Sequence, residues 1–185
     1  MTPMKPIVLK HGLIAGGILV AMFAITLPLT MNGIIDFAHD GEILGYTSMV
    51  LAFLLVFFGI RAYRDEIGGA ITFGKAFQVG ILITLLTCAI YVVTWEIVYW
   101  GFIPDFLDKY NARSLAELRA SGATEAALRE AQAQMAQLAK LYANPLFNIG
   151  FTFLEPFPVG LVVTLVSAAI LRKKQAPRAT AAVAV

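Results

Sequence analysis

The side chain most able to do chemistry in this sequence is Glu155, because it is the single charge in a long apolar stretch. The stretch runs from Pro145 to Leu171, and Pro156 and Pro158 follow the glutamate closely. An ionisable residue at membrane depth usually faces the protein interior or a watery cavity. A proline lacks the amide hydrogen and kinks a helix. We therefore predict a kinked helix with a carboxylate at the kink, like the broken helices that line transporter sites.

A second carboxylate, Glu96, is predicted to lie at a similar depth. At 1.5 Å per residue, Glu96 lies roughly 31 Å along a helix from Lys75, and Glu155 lies roughly 25 Å from Arg172. With Glu42 in the loop above them, these residues form a candidate ion or proton site: Glu155, Glu96 and Glu42. The alternative is that Glu155 bonds a neighbouring hydroxyl or amide, and that Glu96 meets interfacial water.

The loop from 32 to 42 is the only other place where ligating residues crowd together. Asp36, His39 and Asp40 lie within five positions and form a weak candidate metal site. Their spacing matches no standard metal loop, so a solvated acidic loop is the alternative interpretation. The segment Gly69–Ala76 resembles a phosphate-binding loop, but it lacks the final hydroxyl residue. The sequence therefore predicts no cofactor, and since no nucleophile–base pair is present, it does not favour an enzyme.

The amino-acid composition indicates whether water or lipid surrounds these residues. Hydrophobic residues make up 59% of the 185 residues and charged residues only 14%, against about 45–50% and about 25% in soluble domains. A soluble fold of this size would expose large apolar patches. The composition excludes an ordinary soluble enzyme, a disordered chain and a nucleic-acid binder, and it indicates an integral membrane protein.

Four apolar segments are long enough to cross a bilayer as helices, which takes about 20 residues each. The predicted fold class is an all-α membrane protein with four transmembrane helices and an extracytoplasmic helical hairpin between helices 3 and 4. We predict a single membrane domain, 1–175, and a disordered tail, 176–185. The predicted transmembrane helices are about 8–31, 43–61, 75–100 and 146–171.

The polar segment 104–144 is predicted to form the hairpin. Ser114 and Glu117 have the spacing of a capping box and predict a helix start, and Gly122 predicts its end. Thr124 then opens a helix over Glu125–Tyr142, in which apolar residues recur at steps of three and four. This stripe is a candidate partner face, although it could pack on the chain itself or on the lipid surface. The candidate face consists of Leu128, Met135, Leu138 and Tyr142.

Basic residues are distributed unevenly between the two sides of the predicted helices. If both termini are cytoplasmic, nine Lys and Arg residues face the cytoplasm and five face outward. The positive-inside rule therefore predicts cytoplasmic termini and an outward hairpin. Trp95, Tyr99 and Trp100 fall at the predicted outer boundary, where aromatic residues are enriched.

Several short motifs together resemble a bacterial integral-membrane family, the domain of unknown function 4199. They are Gly41–Tyr46, Gly59–Asp65, Ile71–Phe77 and Asn144–Asn148, extended by Glu155 and Pro158–Leu161. The resemblance covers nearly the whole chain except its tail. It implies a small multi-helix membrane protein, and it assigns no activity or catalytic residue. We expect this protein to lie in the bacterial inner membrane.

The preferred expectation from the sequence is a non-enzymatic accessory or scaffold protein in the bilayer, with a membrane protein partner or a second copy of itself. The first alternative is a small oligomeric transporter, a proton- or cation-coupled carrier that uses Glu155 and Glu96. Four helices are few for a carrier, so this alternative requires an oligomer. A membrane enzyme is the least favoured expectation.

Overall fold

The computed structural model describes residues 3–31 and 42–173, and the regular elements in these ranges are α-helices together with one isolated β-bridge. The predicted tail and the candidate ligands Asp36, His39 and Asp40 lie outside these ranges. The helices are α1 (Met4–Met31), α2 (Glu42–Glu66), α3 (Phe73–Gly101), α4 (Phe106–Ala120), α5 (Glu125–Tyr142), α6 (Pro145–Leu154) and α7 (Pro156–Leu171).

Four segments of the described chain are long and apolar enough to cross a membrane. They are Met4–Leu29, Ile43–Glu66, Phe73–Gly101 and Pro145–Leu171, close to the bounds predicted from the sequence. The last of them consists of α6 and α7 in succession. Large apolar side chains remain exposed along these segments, for example Leu13, Ile25, Phe58 and Ile170. An exposed apolar surface of this kind suits lipid rather than water.

The chain divides into two compact units. The first comprises Met1–Ile90 with Phe157–Val185, and the second comprises Tyr91–Pro156. In the first unit, α1 packs against α2. In the second, α5 packs against α4 and α6. The candidate residues Glu96 and Glu155 both belong to the second unit.

Helices α3 and α7 approach closely in the first unit, where Gly160 meets Thr84. The Thr84 hydroxyl lies 2.9 Å from the Thr164 hydroxyl, and it donates to the Gly160 carbonyl at 3.4 Å. A Cβ at position 160 would lie 2.5 Å from Thr84 Cγ2 and 2.7 Å from a ring carbon of Phe53. The close approach therefore requires glycine, in the way that small residues bring membrane helices together.

The connection between α2 and α3 is a glycine turn that is fixed to the end of α7. The Ile71 amide donates to the Lys173 carbonyl at 3.0 Å, and the Lys173 amide donates to the Ile71 carbonyl at 2.9 Å. Gly68 and Gly69 turn the chain with φ of 98° and 81°. The segment Gly69–Ala76 thus follows a helix rather than a strand, so it lacks the setting of a phosphate-binding loop.

The capping residues of the predicted hairpin are partly as expected. Thr124 caps α5 by accepting from the Ala127 amide at 3.3 Å, and Gly122 follows α4 with φ of 81°. The predicted helix start at Ser114 is wrong, because α4 begins at Phe106 and Ser114 lies inside it. Glu117 bonds Arg113 at 3.0 Å instead of closing a capping box.

Candidate functional site

Glu155 lies at the break between α6 and α7, and the local sequence explains the break. Helix α6 ends at Leu154 and α7 begins at Pro156, whose nitrogen cannot donate a hydrogen bond to the preceding turn. The Glu155 amide reaches the Thr152 carbonyl only at 3.4 Å. The kink predicted from the two prolines is therefore present as an interruption of the helix, with the carboxylate at it.

The Glu155 carboxylate is bound by a tyrosine of α3. The Tyr91 hydroxyl donates to Glu155 Oε2 at 2.7 Å, which is within the range of a hydrogen bond from a hydroxyl to a carboxylate. The neighbouring hydroxyl foreseen in the alternative interpretation is thus Tyr91, 64 positions away in the sequence. A charge-assisted bond of this kind ties the helix break to α3.

The face of α3 that carries Tyr91 is aromatic. Tyr91, Trp95 and Tyr99 are spaced by four residues and are all buried, so they line one side of the helix. The Trp95 and Tyr99 rings lie 5.9 Å apart, and the Tyr99 ring lies 5.5 Å from that of Tyr142 on α5. Tyr142 in turn contacts Phe151 of α6 at 5.8 Å. The aromatic residues therefore join α3, α5 and α6 into one cluster.

The facing side of α6 is polar. Asn148, Thr152 and Glu155 are spaced by four and three residues, which puts them on one helix face. The Thr152 hydroxyl donates to Asn148 Oδ1 at 3.1 Å. Asn148 is fully buried, and its amide nitrogen has no hydrogen-bond partner among the described residues. Exchanging the amide's oxygen and nitrogen would still leave one of these two atoms without a partner.

Tyr142 connects the aromatic and polar groups of this site. Burial raises the pKa of its hydroxyl above the ordinary value of 10.0, and the negative charge of Glu155 acts in the same direction. Polar contacts with Thr152 and Trp95 act in the opposite direction. Because Glu155 affects Tyr142 and bonds Tyr91, we treat Tyr91, Tyr142, Asn148, Thr152 and Glu155 as one site, the polar cluster.

The structure gives Glu96 and Glu155 different partners. Glu96 accepts a hydrogen bond from Trp100 Nε1 at 2.8 Å on its own helix. It follows Tyr91 by five residues, which turns it about 140° around α3 from the side chain that binds Glu155. Glu42 is the first residue of α2. Among the described residues, no three His, Cys, Asp or Glu side chains are grouped closely enough to hold a metal ion.

The chain itself covers the two ends of the candidate partner face on α5. Leu128 and Tyr142 are each 6% exposed, whereas Leu138 is 38% exposed. Met135 is half-buried. The stripe therefore packs on its own chain at its two ends, and its use as a partner face stays a prediction.

Sequence reasoning missed Asn148, Thr152, Tyr91 and the site role of Tyr142. The spacing of Asn148 and Thr152 from Glu155 is a signal that could have found two of them, since polar residues on one face of an apolar helix mark the face that packs against other helices. Tyr91 and Tyr142 carry no such local signal. Their position depends on the packing of α3 and α5 around α6.

The fold and the site together define a class of protein. A chain whose described elements are helices, with four segments apolar enough to span a bilayer and a polar cluster whose members other than Glu155 are buried, fits a multi-pass membrane protein. The chain belongs to the family described as "Protein of unknown function (DUF4199)", which matches residues 10–173. The resemblance noted in the sequence is thereby confirmed. No curated protein and no solved structure matches the chain.

Proposed function

We propose that the protein binds a proton at Glu155 and acts as a small proton-coupled carrier. The observation that carries this proposal is the 2.7 Å hydrogen bond from Tyr91 to Glu155 at the break between α6 and α7. Membrane carriers place their binding groups at interrupted helices, because the break supplies both polar groups and a point of movement. The protonatable group and the interruption coincide at one residue of this chain.

The donor set favours a proton over a metal cation. A divalent cation takes about six or more oxygen ligands, and the described contacts of Glu155 are a single phenol hydroxyl and its own helix. A proton needs only one carboxylate oxygen. When the carboxyl takes up a proton, the charge that strengthens its bond to Tyr91 disappears. Proton binding is thereby coupled to the contact that joins α3 to the helix break.

The proposed carrier has the topology expected from the charge distribution. Both termini are cytoplasmic, the α4–α5 hairpin is extracytoplasmic, and the membrane is the bacterial inner membrane. The positive-inside rule and the family resemblance support this arrangement. Because four spans are few for a carrier, the proposal includes a homo-oligomer.

An accessory or scaffold role has less support from the geometry. It requires an apolar face on α5 that is available to a partner, and the chain's own contacts cover Leu128 and Tyr142. Leu138 and Leu141 are the exposed remainder of that helix's leucines. The polar cluster has no evident purpose in a scaffold, since an incompletely bonded buried amide costs stability.

The proposal is tested by measuring proton flux in proteoliposomes that contain a pH-sensitive dye. A potassium diffusion potential drives protons inward, and the wild-type protein is expected to acidify the lumen faster than empty vesicles do. We expect Glu155→Gln to reduce the flux to that of empty vesicles, because the amide cannot take up the proton. Tyr91→Phe is expected to reduce it in part, because the carboxylate remains but loses its partner.

Glu117→Gln is the matched control, since it removes an exposed carboxylate on α4 that bonds Arg113. It is expected to leave the flux at the wild-type value. Equal flux in Glu155→Gln and the wild type would refute the proposal. Glu96→Gln in the same assay shows whether the second carboxylate predicted from the sequence takes part.

A further inference from the structure

One end of the first unit carries a cluster of basic side chains at the ends of its membrane-spanning segments. Two lie in the last turns of α2, one in the first turn of α3 and two directly after α7. This cluster, the basic end, consists of Arg61, Arg64, Lys75, Arg172 and Lys173. All except Arg64 are exposed.

The backbone holds the basic end together. The pair of hydrogen bonds between Ile71 and Lys173 fixes the end of α7 beside the turn that leads into α3. Thr72 caps α3 by accepting from the Lys75 amide at 3.3 Å. Lys75 and Lys173, which are far apart in the sequence, are thus attached to neighbouring, hydrogen-bonded backbone. Their proximity is a property of the fold rather than of flexible side chains.

Among the residues that the structure describes, three of the five cations have no acidic partner. Asp65 pairs with Arg64 at 2.9 Å and with Arg61 at 3.8 Å. The Lys75 ammonium instead donates to the neutral amide of Gln78 at 2.9 Å. Within the described ranges, no carboxylate pairs with Arg172 or Lys173. Positive charge therefore remains on the side of the basic end formed by α3 and α7.

The cations of the hairpin provide a contrast. Lys109 pairs with Asp105 at 2.7 Å, and Arg113 pairs with Glu117 at 3.0 Å. The short contact with Lys109 lowers the pKa of Asp105 below its usual value. Lys109 and Arg113 are therefore each compensated by a carboxylate four residues away, which is not so for Lys75, Arg172 and Lys173 among the described residues.

We propose that Lys75, Arg172 and Lys173 bind the phosphate headgroups of anionic phospholipids. All three lie at the ends of apolar segments that are long enough to span the bilayer, at the level where headgroups begin. Basic residues next to a membrane span attract anionic lipids, and the attraction grows with each added charge. The partner is thus a lipid surface, and this inference does not depend on the proton-binding role of Glu155.

The test measures which lipids the protein retains. Purified protein is mixed with detergent and equal amounts of phosphatidylcholine and phosphatidylglycerol, separated by size exclusion, and its bound lipids are quantified by mass spectrometry. The wild type is expected to enrich phosphatidylglycerol. The triple variant Lys75→Gln, Arg172→Gln, Lys173→Gln is expected to lose about ten-fold or more of that enrichment. The triple variant Lys109→Gln, Arg113→Gln, Arg119→Gln removes the same charge elsewhere and is expected to retain it.

Two further measurements test whether a folding defect or a different ligand explains the result. The variant Lys75→Arg, Lys173→Arg keeps the charge and is expected to keep the enrichment. Inorganic phosphate, added in phosphatidylcholine alone, is expected to raise the melting temperature less than phosphatidylglycerol does. The proposal is overturned if the wild type does not enrich phosphatidylglycerol, or if the two glutamine triple variants enrich it equally. It is also overturned if the arginine variant loses the enrichment. Finally, it is overturned if free phosphate raises the melting temperature as much as phosphatidylglycerol does.

Discussion

At the scale of single residues, the polar cluster contains one side chain with a hydrogen-bond partner, Glu155, and one that lacks a partner for an amide atom within the described part of the chain, Asn148. Glu155 has a strong partner in Tyr91, whereas the fully buried Asn148 leaves one amide atom unbonded among the described residues. An unsatisfied buried polar atom costs about 1–3 kcal/mol. A leucine at position 148 would avoid this cost. The asparagine therefore has the character of a functional residue rather than a stabilising one.

The raised pKa of Tyr142 predicts that the folded protein loses stability at alkaline pH. Because burial favours the neutral hydroxyl, the folded protein binds this proton more tightly than the unfolded chain does. The stabilisation is complete below pH 10.0, the ordinary value, and is lost as the pH rises through the raised pKa. Tyr142→Phe should lower stability by about 1 kcal/mol at neutral pH through a lost polar contact, and should remove this alkaline loss.

The measurement is the thermal unfolding midpoint in detergent, taken at neutral pH and above pH 10. The exposed Tyr110 of α4 supplies the control, and Tyr110→Phe is expected to keep the pH dependence of the wild type. An unchanged alkaline loss in Tyr142→Phe would contradict the assignment.

At the scale of elements, helix ends and helix contacts follow different rules. The Thr124 cap and Gly122 act through neighbouring residues, so they lie where the sequence predicts them. The start of α4 is different. Phe106 opens the helix and packs on Trp95 at 5.3 Å, a contact made with another helix that local spacing cannot reveal.

The close contact of α7 with α3 predicts the effect of adding one methyl group. Gly160→Ala should destabilise the protein by about 1–3 kcal/mol, because the new Cβ would overlap Thr84 and Phe53 in a filled space. Thr84 is β-branched and Phe53 is fully buried, so neither can move easily. Thermal unfolding in detergent measures the change.

Gly150→Ala is the matched control in α6, since nothing lies within 4 Å of a Cβ at that position. It should be neutral or stabilising by up to about 1 kcal/mol, because alanine favours a helix more than glycine does. If Gly160→Ala and Gly150→Ala have the same thermal unfolding midpoint, the contact between Gly160 and Thr84 is not the close packing described above.

At the scale of the whole molecule, the four apolar segments and the uneven distribution of Lys and Arg predict one topology. Reporter fusions after Met31 and after Leu115 are expected to give an extracytoplasmic signal, and a fusion after Gly69 a cytoplasmic one. The reason is that the orientation of membrane helices is set by the excess of Lys and Arg on the cytoplasmic side. A cytoplasmic signal from the fusion after Leu115 would place the α4–α5 hairpin in the cytoplasm. It would thereby contradict the topology proposed for the carrier.

The sequence by itself determined the class of fold, the four apolar segments, the helix over Glu125–Tyr142 and the break in the last segment at Glu155. These depend on composition, periodicity and local capping, which act over a few neighbouring residues. Only the tertiary structure decided that Tyr91 binds Glu155 and that Lys173 lies beside Ile71. Such pairings join residues many positions apart, and they depend on how helices pack and rotate about their axes, which no local pattern specifies.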